Sequence, residues 1–299
     1  VARPTAGGGM VTRVIVLGAD GMLGSMIARV LAANTALEVV ASTRRGGADT
    51  RAFDVGRDSI VELLDWAEPN WIINAIGILD RRINEDDPVS TAAAVDVNAR
   101  FPHRLAATAD RGQRIVNIAT DGVFSGRSAP YDERARPDAG GVYARSKSLG
   151  EVRSPSAVNL RCSIIGPEEA PGTSLLGWAI SQPVGATITG YTNHQWNGVT
   201  TLHFAKLCEV LMLDDQQDLP PTLHVVPGGA VSKAELLRLV LAAFGRSDVS
   251  VVEEPSPEPV DRTLCTVHPD INRQLWSAAG YSRPPSVGDM VNELATLVP

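Results

Sequence analysis

Tyr143 and Lys147 stand four residues apart in the stretch "VYARSKSLGE". On a helix, residues at that spacing share a face with Cβ atoms about 5–6 Å apart, so a phenol and an ammonium could act on one object. A neighbouring ammonium favours the phenolate and lowers a tyrosine's pKa, which makes a very weak acid a usable proton donor near neutral pH. A solvated tyrosine and lysine on an exposed helix would read the same over ten residues. The rest of the chain has to separate the two.

The order of elements supplies a scaffold. From residue 13, "RVIVL" reads as a strand, 22–33 as a helix, "EVVAS" as a strand and "SIVELLDWA" as a helix. "WIINAIG" then reads as a strand, 89–110 as one long helix and "RIVNIAT" as a strand, followed by the helix of Tyr143 and the strand "AVNLRCS". Strands that are nearly all apolar rather than alternating are buried on both faces, as in a parallel sheet covered by helices. The expected fold is therefore α/β, a Rossmann-type doubly wound parallel sheet over residues 11–165. After about residue 165, "GPEEAPG", "PVGA" and "EEPSPEPVD" punctuate shorter elements. Residues 166–299 read as mainly a smaller lobe with elements returning to the first domain. "VARPTAGGGM", residues 1–10, reads as a disordered leader, with Met10 a plausible native start.

Composition narrows the partners. Hydrophobic content of 44% with 20% charged residues is ordinary for a globular protein, and a formal charge of −7 gives no general attraction to phosphate backbones or anionic lipid. Nucleic acid and membrane are not expected as partners. No apolar run approaches the roughly 18 residues of a membrane helix, and a cytoplasmic location is expected. Cys162, Cys208 and Cys265 are far apart and odd in number, which suits buried thiols, and the five histidines show no metal-ligand spacing. No metal is expected.

"GADGMLG" places Gly18, Gly21 and Gly24 directly after a strand and at the mouth of a helix. That context suits a pyrophosphate: a tight turn, close backbone approach and helix N-terminal amides facing the anion. Asp20, Met22 and Leu23 lie between the glycines and complete the cofactor-binding turn. Glu38 stands 20 residues after Gly18, where an acid would bind ribose hydroxyls, but it opens its strand, and the cofactor belongs at the far end. There the chain reads Thr43-Arg44-Arg45, and Arg44 with Arg45 suits a 2′-phosphate, which favours NADP(H). Asp54, ending "RAFDV", is a candidate for the adenine edge. Asn74 and Ala75 end a strand where the nicotinamide half should lie.

"ATDGVFSG" puts Thr120 at the carboxyl end of its strand, the edge where ligands bind in open α/β sheets. With Asn98 in "DVNAR", the order glycine turn, Asn98, Thr120, Tyr143, Lys147 resembles the short-chain dehydrogenase/reductase superfamily. Within its extended branch, the chain is most similar to the dTDP-4-dehydrorhamnose reductase-like family of nucleotide-sugar reductases. The resemblance runs from about residue 13 to the C-terminus, through "GADGMLG", "VDVNAR", "ATDGVFSG", "YARSKSLGE", "NLRCSIIGPE" and "HQWNGVTTLHFAK".

The resemblance implies NADPH-dependent reduction of a 4-keto sugar nucleotide. Tyr143 would protonate the carbonyl oxygen, Lys147 would hold the nicotinamide ribose and lower the tyrosine pKa, and Thr120 would hydrogen-bond the same oxygen. Asn98 is counted, with Tyr143 and Lys147, among the cofactor-binding residues, where it would bind a relay water or brace the helix. Asp121 joins Thr120 as a substrate contact, and Gln195, Asn197 and Arg262 match the lobe that meets the nucleotide sugar. Arg262 could pair bidentately with a diphosphate. Trp178 and Trp196 read as packing residues and His194 as their neighbour. Asp121 is followed by Gly122 instead of a second acid, which speaks against dehydratase chemistry. Rhamnose-type reductases usually carry Tyr at the position of Gly122 and a Tyr-Thr stretch where this chain has "GILDRRINEDDP", so the sugar stays open. A non-catalytic NADP-binding regulatory subunit and a nucleotide-sugar epimerase are the alternatives, and a homodimer is compatible with each.

Overall fold

A computed structural model describes residues 3–4, 10–109, 112–168, 174–214 and 218–298. Most of the expected leader, residues 1, 2 and 5–9, lies outside the described residues. The first run of elements is β1 (Arg3–Pro4), β2 (Met10–Leu17), α1 (Met22–Ala32), β3 (Leu37–Thr43), β4 (Thr50–Ala52), α2 (Ile60–Ala67) and β5 (Trp71–Asn74). It continues with α3 (Pro88–Val95), α4 (Phe101–Thr108), β6 (Arg114–Thr120), α5 (Gly141–Leu149) and β7 (Ala157–Cys162). The second run is β8 (Ile164–Ile165), α6 (Leu175–Ile180), β9 (Thr187–Tyr191), β10 (His194–Trp196), β11 (Val199–Thr200), α7 (Thr201–Leu213) and β12 (Thr222–His224). β13 (Val231–Ser232), α8 (Lys233–Ala243), β14 (Ser250–Glu254), β15 (Val260–Asp261), α9 (Pro269–Ala278) and α10 (Val287–Leu297) complete it.

The apolar strands behave as their composition requires. β12-β7-β6-β5-β2-β3-β4 form a Rossmann-like, seven-stranded parallel sheet, with β1 antiparallel against β2. Every residue of β5 and β7 is buried. Ile15, Leu17, Ile72 and Ile115 meet Ile60, Leu63, Leu64, Phe101 and Leu105 in one core cluster. Each such side chain stabilises the fold by roughly 1.5–3 kcal/mol on burial. The strand order reverses around β2, whose neighbours are β3 and β5. Ligands bind outside the carboxyl ends of strands at such a reversal, so Gly18 and Ala75, the residues after β2 and β5, flank the expected crevice.

The expected helix over 89–110 is in fact α3 and α4 joined by a five-residue π-helical segment, Asp96–Arg100. Asp87 caps α3, its carboxylate accepting from the Val89 amide, with Pro88 in the first turn. Pro102 has no N–H to donate inside the helix, which suits a locally altered hydrogen-bond ladder.

Two compact units divide the chain. The first holds Val1–Val123, Ala139–Arg161 and Cys208–Leu223; the second holds Phe124–Asp138, Cys162–Leu207 and His224–Pro299. Most of the connection between β6 and α5, Phe124–Asp138, thus belongs to the second unit. That unit contains the short sheets β13-β10-β15, β11-β8 and β14-β9. Its helix α10 starts with a capping box of Ser286 and Asp289. Among the described residues no helix is long and apolar enough to cross a membrane.

Candidate active site

The glycine turn is built by close backbone approach. Gly18 has φ 77°, and a Cβ on Gly24 would lie 2.1 Å from the Gly18 carbonyl oxygen. The Gly21 amide donates to that oxygen at 3.0 Å, and the Gly18 and Ala19 amides both donate to the Ser42 carbonyl. Gly21 opens α1 without a side-chain cap, and the first turn, which includes Met22 and Leu23, carries no acid. The positive end of the helix dipole is left for an anion. Asp20 is exposed beside it, while Ser42 is buried and its Oγ has no partner. A dinucleotide fits this cradle.

Beyond β3, Arg44 and Arg45 are exposed, with the Arg44 Nε 3.9 Å from Asp54 Oδ2. Asp54 Oδ1 accepts from the Gly56 amide at 2.9 Å, so this carboxylate holds its own turn. Glu38 faces Arg13 at 3.4 Å. Asn74 is buried at the end of β5, where its Oδ1 accepts from the Ile76 amide at 3.2 Å. That bond ends the strand earlier than "WIINAIG" suggests. The Ala75 amide donates to Leu17 O at 3.1 Å, tying β5 to the turn.

At the reacting end, Thr120 and Tyr143 converge. A Cβ placed on Gly122 would lie 3.2 Å from both Thr120 Oγ1 and Tyr143 Cε1. The Gly122 amide donates to Thr120 Oγ1 at 3.0 Å, and that hydroxyl donates to Asp121 Oδ1 at 3.4 Å. One turn past Tyr143, Lys147 Nζ donates to the Ile118 carbonyl at 2.7 Å. Burial lowers the Lys147 pKa to about 8, with Glu151 pulling it back up. The set offers a phenol, an ammonium and a second hydroxyl within the first unit.

Three polar side chains hold α5, and two of them were not foreseen from sequence. Glu85 accepts from the Val142 amide at 2.7 Å in the first turn, where Gly140 offers no side-chain cap. Asn98, in the π segment, donates to Ser146 Oγ at 3.3 Å. Its amide also takes both ends of the Ile78 backbone, donating to the carbonyl and accepting from the N–H at 2.8 Å each. These bonds tie the π segment to α5 and to the backbone after β5. Asn117 donates to the Gly150 carbonyl at the helix end at 3.0 Å.

The second unit places Gln195 on β10, donating to Thr192 O at 3.1 Å. Asn197 is bonded to the Leu264 backbone at both ends of its amide, donating at 2.7 Å and accepting at 2.9 Å. Arg262 differs: its buried Nε has no partner. Trp196 is buried and donates to Ser163 Oγ at 2.9 Å, whereas Trp178, expected to pack, is 38% exposed on α6. His194 meets the Glu258 carbonyl at 2.9 Å and lies beside Tyr191. A half-buried group in this unit, formed by buried His203 with Lys206, Tyr281 and Glu293, has no sequence signature.

A parallel sheet with a glycine turn at its reversal, a threonine at the end of β6 and a tyrosine and lysine on α5 defines an extended short-chain dehydrogenase/reductase architecture. Residues 12–165 match the RmlD substrate binding domain, and the chain belongs to that family. It is 32% identical over 158 residues to a dTDP-4-dehydrorhamnose reductase of Aggregatibacter actinomycetemcomitans, a match covering 50% of this chain. That match spans about half of the relative's own length, 51%. Over 266 residues it is 28% identical to a "probable low-salt glycan biosynthesis reductase" of Haloferax volcanii, covering 83% of this chain and 85% of that one. The fold is also that of a dTDP-4-dehydrorhamnose reductase from Bacillus anthracis solved in complex with NADP. There the TM-score is 0.78 at 19% identity, over 97% of this chain and 100% of that one.

Proposed function

We propose that the protein is an NADPH-dependent reductase of a 4-keto sugar nucleotide, with Tyr143 as the proton donor. The observation that carries this reading is the convergence of Thr120 Oγ1 and the Tyr143 ring on one point beside Gly122, with Lys147 one turn along the same helix. The names of the two relatives and the cofactor of the solved neighbour support it. The bound cofactor would supply the hydride. Gly18, Gly21 and Gly24 with the first turn of α1 would hold its pyrophosphate, Arg44 and Arg45 its 2′-phosphate, and Asn74 and Ala75 its nicotinamide half.

Tyr143 would pass its hydroxyl proton to the carbonyl oxygen as charge develops there, and Thr120 would donate a second hydrogen bond to it. Lys147, protonated below about 8, would hold the ribose and favour the phenolate left on Tyr143. The unpaired Arg262 Nε supports a diphosphate ligand for the second unit. Among the described residues Cys208 and Cys265 are free thiols, which supports a reducing, cytoplasmic setting.

The test is oxidation of NADPH against a panel of keto-sugar nucleotides and the matching free sugars. Net consumption with the linked sugars is expected. Binding of NADPH with no turnover on any member would favour a regulatory subunit, and interconversion of sugar epimers without net NADPH consumption would favour an epimerase.

A further inference from the structure

Three buried asparagines form a ladder across the sheet, and only the first entered the sequence reading. Asn74 on β5 donates to Asn117 Oδ1 on β6 at 3.0 Å, and Asn117 donates to Asn159 Oδ1 on β7 at 2.8 Å. Asn159 closes the far end, accepting from the Val152 amide at 2.9 Å and donating to the Val152 and Pro221 carbonyls at 2.8 and 2.7 Å. The three residues are at most 3% exposed. An amide offers two donors and an acceptor, and Asn117 uses all of them, since its second N–H goes to the Gly150 carbonyl.

Gly150 is where α5 ends, and it has no room to slide. Its amide donates to Ser146 O and Lys147 O, and a Cβ there would lie 1.9 Å from the Asn98 carbonyl oxygen. The residue after Asn117 is Ile118, whose carbonyl holds Lys147 Nζ, and Thr120 ends the same strand. One side chain therefore ties the end of the proton-donor helix to the threonine's strand and, through Asn74, to the strand end that Ala75 follows. A fully satisfied buried network is rigid, and it loses that rigidity when one member fails.

We infer that Asn117 is a positioning residue, which through Gly150 and Asn74 sets the helix of Tyr143 and Lys147 in register with Thr120 and with the strand end assigned to the nicotinamide half. The inference rests on the reductase reading for its catalytic consequence, but the register itself does not. A displacement of about 1 Å at reacting groups can cost on the order of a hundredfold in rate.

Asn117→Asp is nearly isosteric and keeps the acceptor for Asn74, but it removes both donors. In this variant kcat should fall about tenfold or more and the KM for NADPH should change by a smaller factor, because the glycine turn that would hold the pyrophosphate is untouched. Hydrogen–deuterium exchange of the 142–150 amides should rise in the same variant, without cofactor or substrate. Asn272→Asp is the control: this buried amide clamps the Val226 backbone in the second unit, so its loss should lower thermal stability and leave kcat within about twofold. If Asn117→Asp does not fold, Asn117→Ser, uncharged and with one donor, carries the same expectations. A folded Asn117 variant with wild-type kcat, or with unchanged exchange in 142–150, overturns the inference. Should the wild-type protein oxidise no NADPH, the reductase reading falls, and the exchange measurement alone decides the register.

Discussion

Lys147 and Lys206 are both helical lysines set near a tyrosine, one in each unit, and their surroundings drive them in opposite directions. Lys147 lies one turn past Tyr143, its Nζ bonded to a neutral carbonyl, and burial brings its pKa down to about 8. Lys206 donates to Tyr281 Oη at 2.9 Å and also bonds Glu293. Burial would lower it too, but the bonds to Glu293 and Tyr281 outweigh burial and raise it. Tyr281 donates to Glu293 at 2.7 Å, and burial pushes its pKa up to about 12. Buried His203 completes that group against Glu293, its pKa driven down to about 4 by burial. A carboxylate between the partners turns a tyrosine and lysine pair into a brace. At Lys147 burial prevails instead, and its proton can be lost near pH 8.

Breaking each pair should therefore have different consequences. Lys147→Met should lower kcat/KM by about 10² or more and weaken NADPH binding, since one ammonium serves both the ribose and the phenol. Lys206→Met should leave kcat/KM within about twofold and cost about 1–3 kcal/mol of stability through the hydrogen bonds lost to Glu293 and Tyr281. Steady-state kinetics and denaturant unfolding of the two variants check this.

The cofactor side should respond next. Arg44→Asp should weaken NADPH binding by about tenfold to a hundredfold and barely alter NADH, the effect of losing a charge-assisted pair. Titration of each cofactor measures it, and equal affinity of the wild-type protein for both would remove the role of Arg44 and Arg45. In the second unit, Arg262→Ala should lower kcat/KM for a nucleotide-linked sugar by about tenfold while NADPH affinity holds. Assay beside the matching free sugar separates diphosphate recognition from carbonyl reduction.

The smallest effect is on stability, on the order of a few degrees in unfolding midpoint. The native Lys147 pKa of about 8 lies below the ordinary 10.5. The unfolded chain therefore holds a proton that the native one has shed, and the wild-type protein gains on Lys147→Met as pH rises from about 8 to 10.5. Lys206 has the opposite sign. Its raised pKa contributes stability below its ordinary 10.5 that is lost as pH climbs through the folded value. Unfolding midpoints of wild type and the two variants read the Lys147 sign from about pH 8 to 10.5 and the Lys206 sign above 10.5.

What could be read from the sequence was local. Gly18, Gly21 and Gly24 advertise a turn by type and spacing, and Tyr143 with Lys147 by helical period. The parallel sheet followed from strands buried on both faces. What escaped was non-local and chemically ordinary. Asn117 meets Gly150 across 33 residues, and Glu85 meets Val142 across 57. Nothing in "RIVNIAT" or "NEDDP" sets those polar side chains apart from any others. The interruption of the 89–110 helix did leave a mark in Pro102. Asn197 drew attention by its place in a motif, yet its partner is a backbone 67 residues away. Lys206, Tyr281 and Glu293 lie on segments with no shared period, so their carboxylate-centred brace had no signature.

The central claim is that the two pairs differ in kind, and tyrosine substitution tests it most directly. Tyr143→Phe and Tyr281→Phe each remove one hydroxyl and keep the ring. With a keto-sugar nucleotide that the wild-type protein reduces, turnover of NADPH by Tyr143→Phe should fall by about 10²–10⁴ with cofactor affinity retained. Tyr281→Phe should turn over within about twofold of wild type and unfold more easily, having lost its bonds to Lys206 and Glu293. Near-wild-type turnover by Tyr143→Phe, or a loss of equal size in Tyr281→Phe at a temperature where it is folded, would contradict the account.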